Sequence, residues 1–280
     1  ANGPALQFFK FENPAAPWTK VSLPENAKAF SFYVANDGLW IGHTRGARFV
    51  PYLEEQDVID VPLSDLSPET SSTITAINRD ANGVVYFGLS SGLHIWDGSE
   101  LRYQDLLSEE DRAKDRLAPT VNRIYMDKNN VWVGTNHGLF LITNGELQVS
   151  WRESLWNVSS FYSSSVGVIA PSPRGEGLLI SVGKELFHFD GEKFQPVLNL
   201  PSEIRSLYAG PYQIWLGTAN SGFYYVQMDD TANIYWDSLT KYEDLPKSSG
   251  YQAITMTDSR TLWVTSKDNG LTRITGMFGQ

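Results

Sequence analysis

Apolar and polar residues alternate along most of the chain in short runs, each closed by a cluster of Gly, Asn, Asp or Ser. Alternation with period two marks a half-buried strand, whereas a helix repeats its apolar residues every three to four positions. Six segments carry the alternation in a common register: DGLWIGHTRGARFV from Asp37, NGVVYFGLSSGLHIW from Asn82, NNVWVGTNHGLFLI from Asn129, EGLLISVGKELFHF from Glu176, YQIWLGTANSGFYYV from Tyr212 and RTLWVTSKDNGLTRI from Arg260. A bulky anchor recurs at Trp40, Tyr86, Trp132, Leu179, Trp215 and Trp263, at spacings of 46, 46, 47, 36 and 48 residues. The repeat governs the fold.

Each unit predicts four short strands. A first strand precedes the anchor, as in TAINRD (Thr75–Asp80), VNRIYMD (Val121–Asp127) and YQAITMTD (Tyr251–Asp258). A polar turn such as DANG or DKNN follows, then the anchor strand, a small-polar turn ending in Gly, a third strand such as LFLI and a fourth such as SELRYQDL. Four strands in about 45 residues around one buried aromatic describe a propeller blade. The expected architecture is an all-β propeller of about six four-stranded blades, residues 1–280 forming a single domain. A sandwich of two sheets would not repeat at this interval, and an α/β fold needs helices between strands. Only the stretch from Ser108 to Lys114 approaches a helical turn.

Blades splay outward, so large flat rings should fill the wedge between neighbours. Gly42, Gly88, Gly134 and Gly217 lie two places beyond their anchors, where a side chain would crowd the adjoining blade or the strand needs a kink. The fourth unit has Leu179 and Ser181 at these two places and is expected to pack more loosely. At the ends, Leu6–Phe11 and Trp18–Leu23 read as the outer half of a blade, and the last unit lacks a fourth strand. Donation of Trp18–Leu23 to that last blade would close the ring and cover two open edges. The alternative is that Leu6–Phe11 is the remnant of an extra blade.

Composition narrows the partners. With 22 basic against 32 acidic residues, a net charge of −10 and a pI near 4.9, the chain lacks the clustered cations that nucleic acid or an anionic membrane needs. Nine Trp, thirteen Tyr and fourteen Phe against four Met fit strands. There is no cysteine, so disulfides and thiolate metal sites are excluded. No apolar run approaches the roughly 20 residues that span a bilayer, and the first residues lack the parts of a signal peptide.

Candidate chemistry is sparse. GLSSG at Gly88–Gly92 matches a nucleophile elbow on Ser90, but it stands in the register of a strand-to-strand turn, where that motif has no function. SKDNGLTR at Ser266–Arg273 resembles a structural Asp-box turn. Four scattered histidines make no metal site, and one carboxylate per turn falls far short of calcium's six to eight oxygens. No catalytic residue, metal or cofactor is expected. Turns between second and third strands share a face with the links between blades, and function on a rigid scaffold lives in such loops. The candidate ligand residues are therefore His43, Arg45, Asn136, His137, Lys184, Asn220, Lys267 and Asp268 in turns, with Trp156, Tyr162 and Tyr251 in the links. Ser91 and Tyr242 belong to the same two sets. Polar groups interleaved with aromatic rings suit an oligosaccharide.

The segment DKNNVWVGTNHGLFLI, with Asp127, Trp132, Gly134, Thr135, Gly138 and Leu139, resembles the two-component-regulator propeller repeat. Trp215, Gly217, Thr218 and Gly222 repeat the pattern, and Trp40, Gly42 and Gly46 follow it more loosely. The resemblance runs from about Phe30 to Gly276 and implies a periplasmic or extracellular sensor domain of a hybrid histidine kinase or diguanylate cyclase. It further implies signal transduction through a small-molecule or oligosaccharide ligand, or a protein partner, without catalysis. The chain departs from that pattern in carrying no kinase, cyclase or membrane segment, and in having fewer blades than many members. Two other readings remain: a propeller glycoside hydrolase or lyase, which needs two carboxylates about 5–10 Å apart, and a protein-interaction scaffold.

Overall fold

In the computed structural model every alternating run becomes a strand, and consecutive strands pair antiparallel in chain order. The described residues are 5–8, 19–52, 57–62, 73–107, 113, 117–151, 165–173, 175, 177–210, 212–229, 233–245, 248, 250–258 and 261–275. Apart from Ala113, the predicted helical turn at 108–114 lies outside them, as do Trp156 and Tyr162.

The fold is a six-bladed β-propeller, with its blades shared between two compact units, Ala1–Ser150 and Trp151–Gln280. The first unit holds β3 (Ala29–Val34) to β6 (Ile59–Pro62), with β4 (Gly38–His43) and β5 (Gly46–Pro51) between. Next come β7 (Ile74–Arg79), β8 (Val85–Leu89), β9 (Gly92–Trp96) and β10 (Leu101–Gln104), then β11 (Val121–Asp127), β12 (Asn130–Thr135), β13 (Gly138–Thr143) and β14 (Glu146–Trp151). The second unit holds β15 (Val166–Pro171), β16 (Leu178–Val182), β17 (Glu185–Phe189) and β18 (Phe194–Asn199). It continues with β19 (Ile204–Ala209), β20 (Gln213–Thr218), β21 (Phe223–Met228) and β22 (Ile234–Tyr242), and ends with β23 (Tyr251–Asp258), β24 (Thr261–Ser266) and β25 (Gly270–Thr275).

The N-terminal strand pairs differently from the expected donation. Thr19–Ser22 (β2) pairs antiparallel with Ala5–Phe8 (β1) in a sheet of two, and the sixth blade has three strands among the described residues. Val21 and Leu23 are buried against Leu39 and Ile41 of the first blade, so the segment covers that blade's open side. Arg48 clips it in place: Nη1 donates to Ser22 O at 2.5 Å, while Nε and Nη2 form a fork with Asp60 at 2.6 and 2.7 Å.

The anchors fill the wedges within each unit. Trp40 is 2% exposed and meets Phe87 and Trp96 of the next blade edge-on, each at 5.5 Å. Trp215 is 1% exposed and packs with Phe223, Tyr251 and Leu262. Each ring pair contributes about 0.5–1.5 kcal/mol beyond its buried area. Trp263, in the three-stranded blade, is only half-buried, with the Arg273 guanidinium 5.9 Å from its ring.

A second repeat appears in register rather than in sequence. Every inner strand begins with a bulge, at Phe30, Thr75, Asn122, Gly167, Arg205 and Gln252. In three blades a hydroxyl at or beside the bulge reaches the first carbonyl of the next inner strand. Ser31 Oγ donates to Ile74 O at 2.9 Å, Thr75 Oγ1 to Val121 O, and Ser206 Oγ to Tyr251 O at 3.1 Å. This joint explains the glycine beyond the anchor: a Cβ on Gly42 would stand 2.7 Å from Ile74 Cγ2, and one on Gly217 2.8 Å from Tyr251 Cβ.

The fourth blade keeps the joint by exchange. Ser181 on β16 supplies the hydroxyl, 3.4 Å from Ile204 O, and Gly167 on β15 clears the space. Leu179, Ser181 and Leu186 are fully buried, so the expected looseness of this blade is not found. One substitution compensates the other.

Candidate functional site

In an antiparallel meander, the turn between second and third strands lies at the same end as the link into the first strand. Hydrogen bonds join the two here. In the first unit, Thr44 N donates to Lys28 O and Asn136 N to Thr120 O, both at 3.0 Å. In the second, Gly183 N donates to Ser165 O at 3.0 Å, Ala219 N to Glu203 O at 2.8 Å and Lys267 N to Gly250 O at 2.9 Å. Each tie holds a short turn against the link ahead of its own blade, so side chains on these turns stand on fixed backbone.

The candidate residues separate into three kinds. Arg45, His137, Lys184, Asn220, Lys267 and Asp268 are exposed on the turns, as expected. Asn136 is a buttress: its Oδ1 accepts from Thr120 N at 2.9 Å and lies 2.7 Å from His137 Nδ1. Thr120 Oγ1 in turn donates to Ser90 O at 3.2 Å, which joins this turn to that of the preceding blade. On the sixth blade, Ser248 Oγ lies 3.3 Å from Asp268 Oδ2 and 3.2 Å from Gly250 O, tying the Asp268 turn to its link.

His43 and Tyr251 are core residues. His43 is 2% exposed, its Nδ1 accepts from Arg45 N at 3.0 Å, and burial holds its pKa below that of a free imidazole, with the Arg48 charge acting in the same direction. It shapes its turn and presents no ring face to a ligand. Tyr251 is 4% exposed, its ring 5.5 Å from Phe223. Tyr242 is half-buried, edge-on to Trp215 at 5.9 Å. Among the described residues, then, the link aromatics Tyr242 and Tyr251 serve the wedge between blades. Ser90 and Ser91 form the two-residue turn of the β8–β9 hairpin, the strand-to-strand context expected for GLSSG.

Sequence reasoning missed the bulged residues. A bulge bends its strand and re-aims one side chain, and here it stands at the link end of each inner strand. Phe30 is 53% exposed in the first unit, and Arg205 and Gln252 are exposed in the second. Phe32 and Val34, further along β3, are also exposed, at 52% and 70%. Among the described residues, no group of three or more His, Cys, Asp or Glu is arranged to hold a metal ion. No helix among them is long and apolar enough to cross a membrane.

No family model and no curated protein sequence matches the chain. Solved structures do. The extracellular domain of BT4673 from B. thetaiotaomicron, described as a one component system, is similar over 90% of this chain and 33% of its own, with 16% identity and a TM-score of 0.62. The extracellular domain of BT3049 from B. thetaiotaomicron, described as a hybrid two component system, is similar over 96% of this chain and 35% of its own, with 14% identity and a TM-score of 0.62. YCF48 bound to D1 peptide matches 94% of this chain and 82% of its own, at 13% identity and a TM-score of 0.63. The chain spans about a third of the length of the two extracellular domains. At such identities the likeness is one of fold.

Proposed function

We propose that this propeller is a non-catalytic, extracytoplasmic ligand-binding module of a bacterial signalling protein, and that it binds an oligosaccharide through its turn-and-link face. The observation that carries the reading is the set of turn-to-link hydrogen bonds beneath exposed polar side chains, among them Arg45 and His137 in the first unit and Lys184, Asn220 and Lys267 in the second. Rigid backbone under adaptable polar groups suits a ligand rich in hydroxyls, because little ordering entropy is lost on binding. The likeness to two extracellular domains of signalling systems supports the same reading and a periplasmic or extracellular location.

A thermal-shift screen of the chain against neutral and acidic oligosaccharides tests it. A ligand at 100 times its dissociation constant adds about 2.7 kcal/mol of stability. Substitution of Arg45 and His137, or of Lys184 and Asn220, by Ala should abolish the shift on the unit that binds. Shifts for no sugar, or shifts indifferent to both pairs, would refute the proposal.

One observation favours a second reading, a peptide-binding scaffold. Phe30, Phe32 and Val34 expose three apolar side chains along β3, and a propeller of similar fold has been solved with a peptide. Loss of peptide capture on Phe32→Ser would distinguish the scaffold from the sugar sensor.

A further inference from the structure

The other end of the strands, where first meets second and third meets fourth, carries a cleft of about 310 Å³ between the second and third blades of the first unit. Its deep side is Tyr86 and Val131, both buried, with Met126 beside them; its rim is Asp80, Arg102 and Lys128. None of these belongs to the turn-and-link face.

The rim charges are unequal. Arg102, on the outer strand β10, reaches across to the β13–β14 turn, with Nη2 3.0 Å from where a Cβ on Gly145 would stand. Lys128 projects from the β11–β12 turn. Among the described residues neither cation has a carboxylate oxygen within 4.0 Å or a hydrogen-bond acceptor. Asp80 is already occupied, its Oδ1 accepting from Asn82 N and Val84 N, each at 2.9 Å. Asp97, near Arg102, spends its carboxylate likewise on the N–H groups of Ser99 and Glu100, at 2.9 and 2.8 Å. Two cations face one carboxylate among the residues that line the cleft, and the charge of Asp97 also acts on Arg102.

Tyr86 supplies the second feature. It is 4% exposed, and among the described residues its hydroxyl has no hydrogen-bond partner. The hydroxyl is not among the buried polar atoms that lack a partner, so water reaches it and it is available to donate into the cleft. Burial and, less strongly, the Asp80 charge push its pKa up, so it stays a protonated donor at neutral pH. The cleft thus has two unpaired cations at the mouth, a phenol donor on the deep side and apolar side chains beside it.

We propose that this cleft binds a small organic monoanion, its carboxylate held by Arg102 and Lys128 and its body resting on Tyr86 and Val131. A carboxylate fits a guanidinium fork, and the size falls at the lower end of ligand pockets.

Isothermal titration of the full chain with sodium benzoate tests the assignment, with benzyl alcohol as the neutral analogue, acetate as the head group alone and inorganic phosphate as the alternative oxyanion. Benzoate is expected to saturate with a dissociation constant of about 1 mM or tighter, and to bind at least about tenfold more tightly than benzyl alcohol or acetate. Arg102→Ala and Lys128→Gln should each weaken it about tenfold, and Tyr86→Phe, which keeps the ring, about fivefold. Lys193→Gln, at an exposed lysine of the β17–β18 turn in the second unit, should change nothing. Absence of benzoate binding at millimolar concentration, equal binding of benzyl alcohol, tighter binding of phosphate, or indifference to the Arg102 and Lys128 substitutions would each overturn it.

Discussion

His94 offers a test of burial through pH. It stands on β9, 8% exposed, edge-on to Tyr103 at 5.2 Å, with its Nδ1 lacking a partner among the described residues. Burial lowers its pKa from 6.5 to about 4. In the unfolded chain it recovers the free value, so between about pH 6.5 and 4 the unfolded state binds more protons than the folded one. Stability therefore falls as pH is lowered through that window, and is fully retained above it. With these two values, the loss between pH 7.5 and 5.0 is about 2 kcal/mol. His43 acts in the same direction and is kept in both proteins compared, so its share cancels. Asp37 and Asp60, held below their usual range by Arg79 and Arg48, titrate at lower pH, and every carboxylate is common to both proteins, so their share cancels as well. The assay is urea denaturation of the native chain and of His94→Phe at pH 7.5 and 5.0, read as the difference of differences. Any change in packing from the new ring is common to both pH values. The variant should lose about 2 kcal/mol less than the native chain on acidification. Equal losses in both proteins would refute the claim that His94 is held neutral by burial.

Other outcomes follow from the wedges and joints. Trp40→Ala should cost about 3–5 kcal/mol in chemical denaturation, as expected for a buried ring, and Trp263→Ala distinctly less, because that ring is half-buried. Gly217→Ala should destabilise by about 1–3 kcal/mol through collision with Tyr251, and pairing it with Ser206→Ala should not restore stability, since the Tyr251 Cβ remains. Ser206→Ala alone should cost about 1 kcal/mol by removing the hydroxyl that donates to the Tyr251 carbonyl. Asp37→Asn, which weakens an ion pair with Arg79 at 2.7 Å whose side chains are 44% and 27% exposed, should cost no more than about 1 kcal/mol, and less in high salt.

The fold was legible because one arrangement had to be satisfied six times. A single alternating run is ambiguous, but anchors spaced like Trp40, Tyr86 and Trp132 leave few architectures. The site was less legible, for a reason visible at Tyr251. Aligned with Ile74, Val121 and Ile204, it is the first residue of an inner strand and hence a core position, a signal the sequence contained. Treating it as a loop aromatic ignored that register. The bulges at Phe30 and Arg205 were hidden more deeply, because whether a residue is extra depends on its partner across the hairpin. The cleft around Tyr86 depends on turns from two blades, so no single repeat displays it. Leu179 and Ser181 show the converse: a departure from the motif that looked like a defect is balanced by Gly167 on the neighbouring strand.

The hydroxyl joint bears on how such a chain can grow. Four blades carry a hydroxyl donor, at Ser31, Thr75, Ser181 and Ser206, for the opening carbonyl of the next inner strand. A tandem duplication of such a blade would thus deliver both halves of a new connection at once. The donor's strand varies, from β3 at Ser31 to β16 at Ser181, while the acceptor stays the opening carbonyl of the next inner strand.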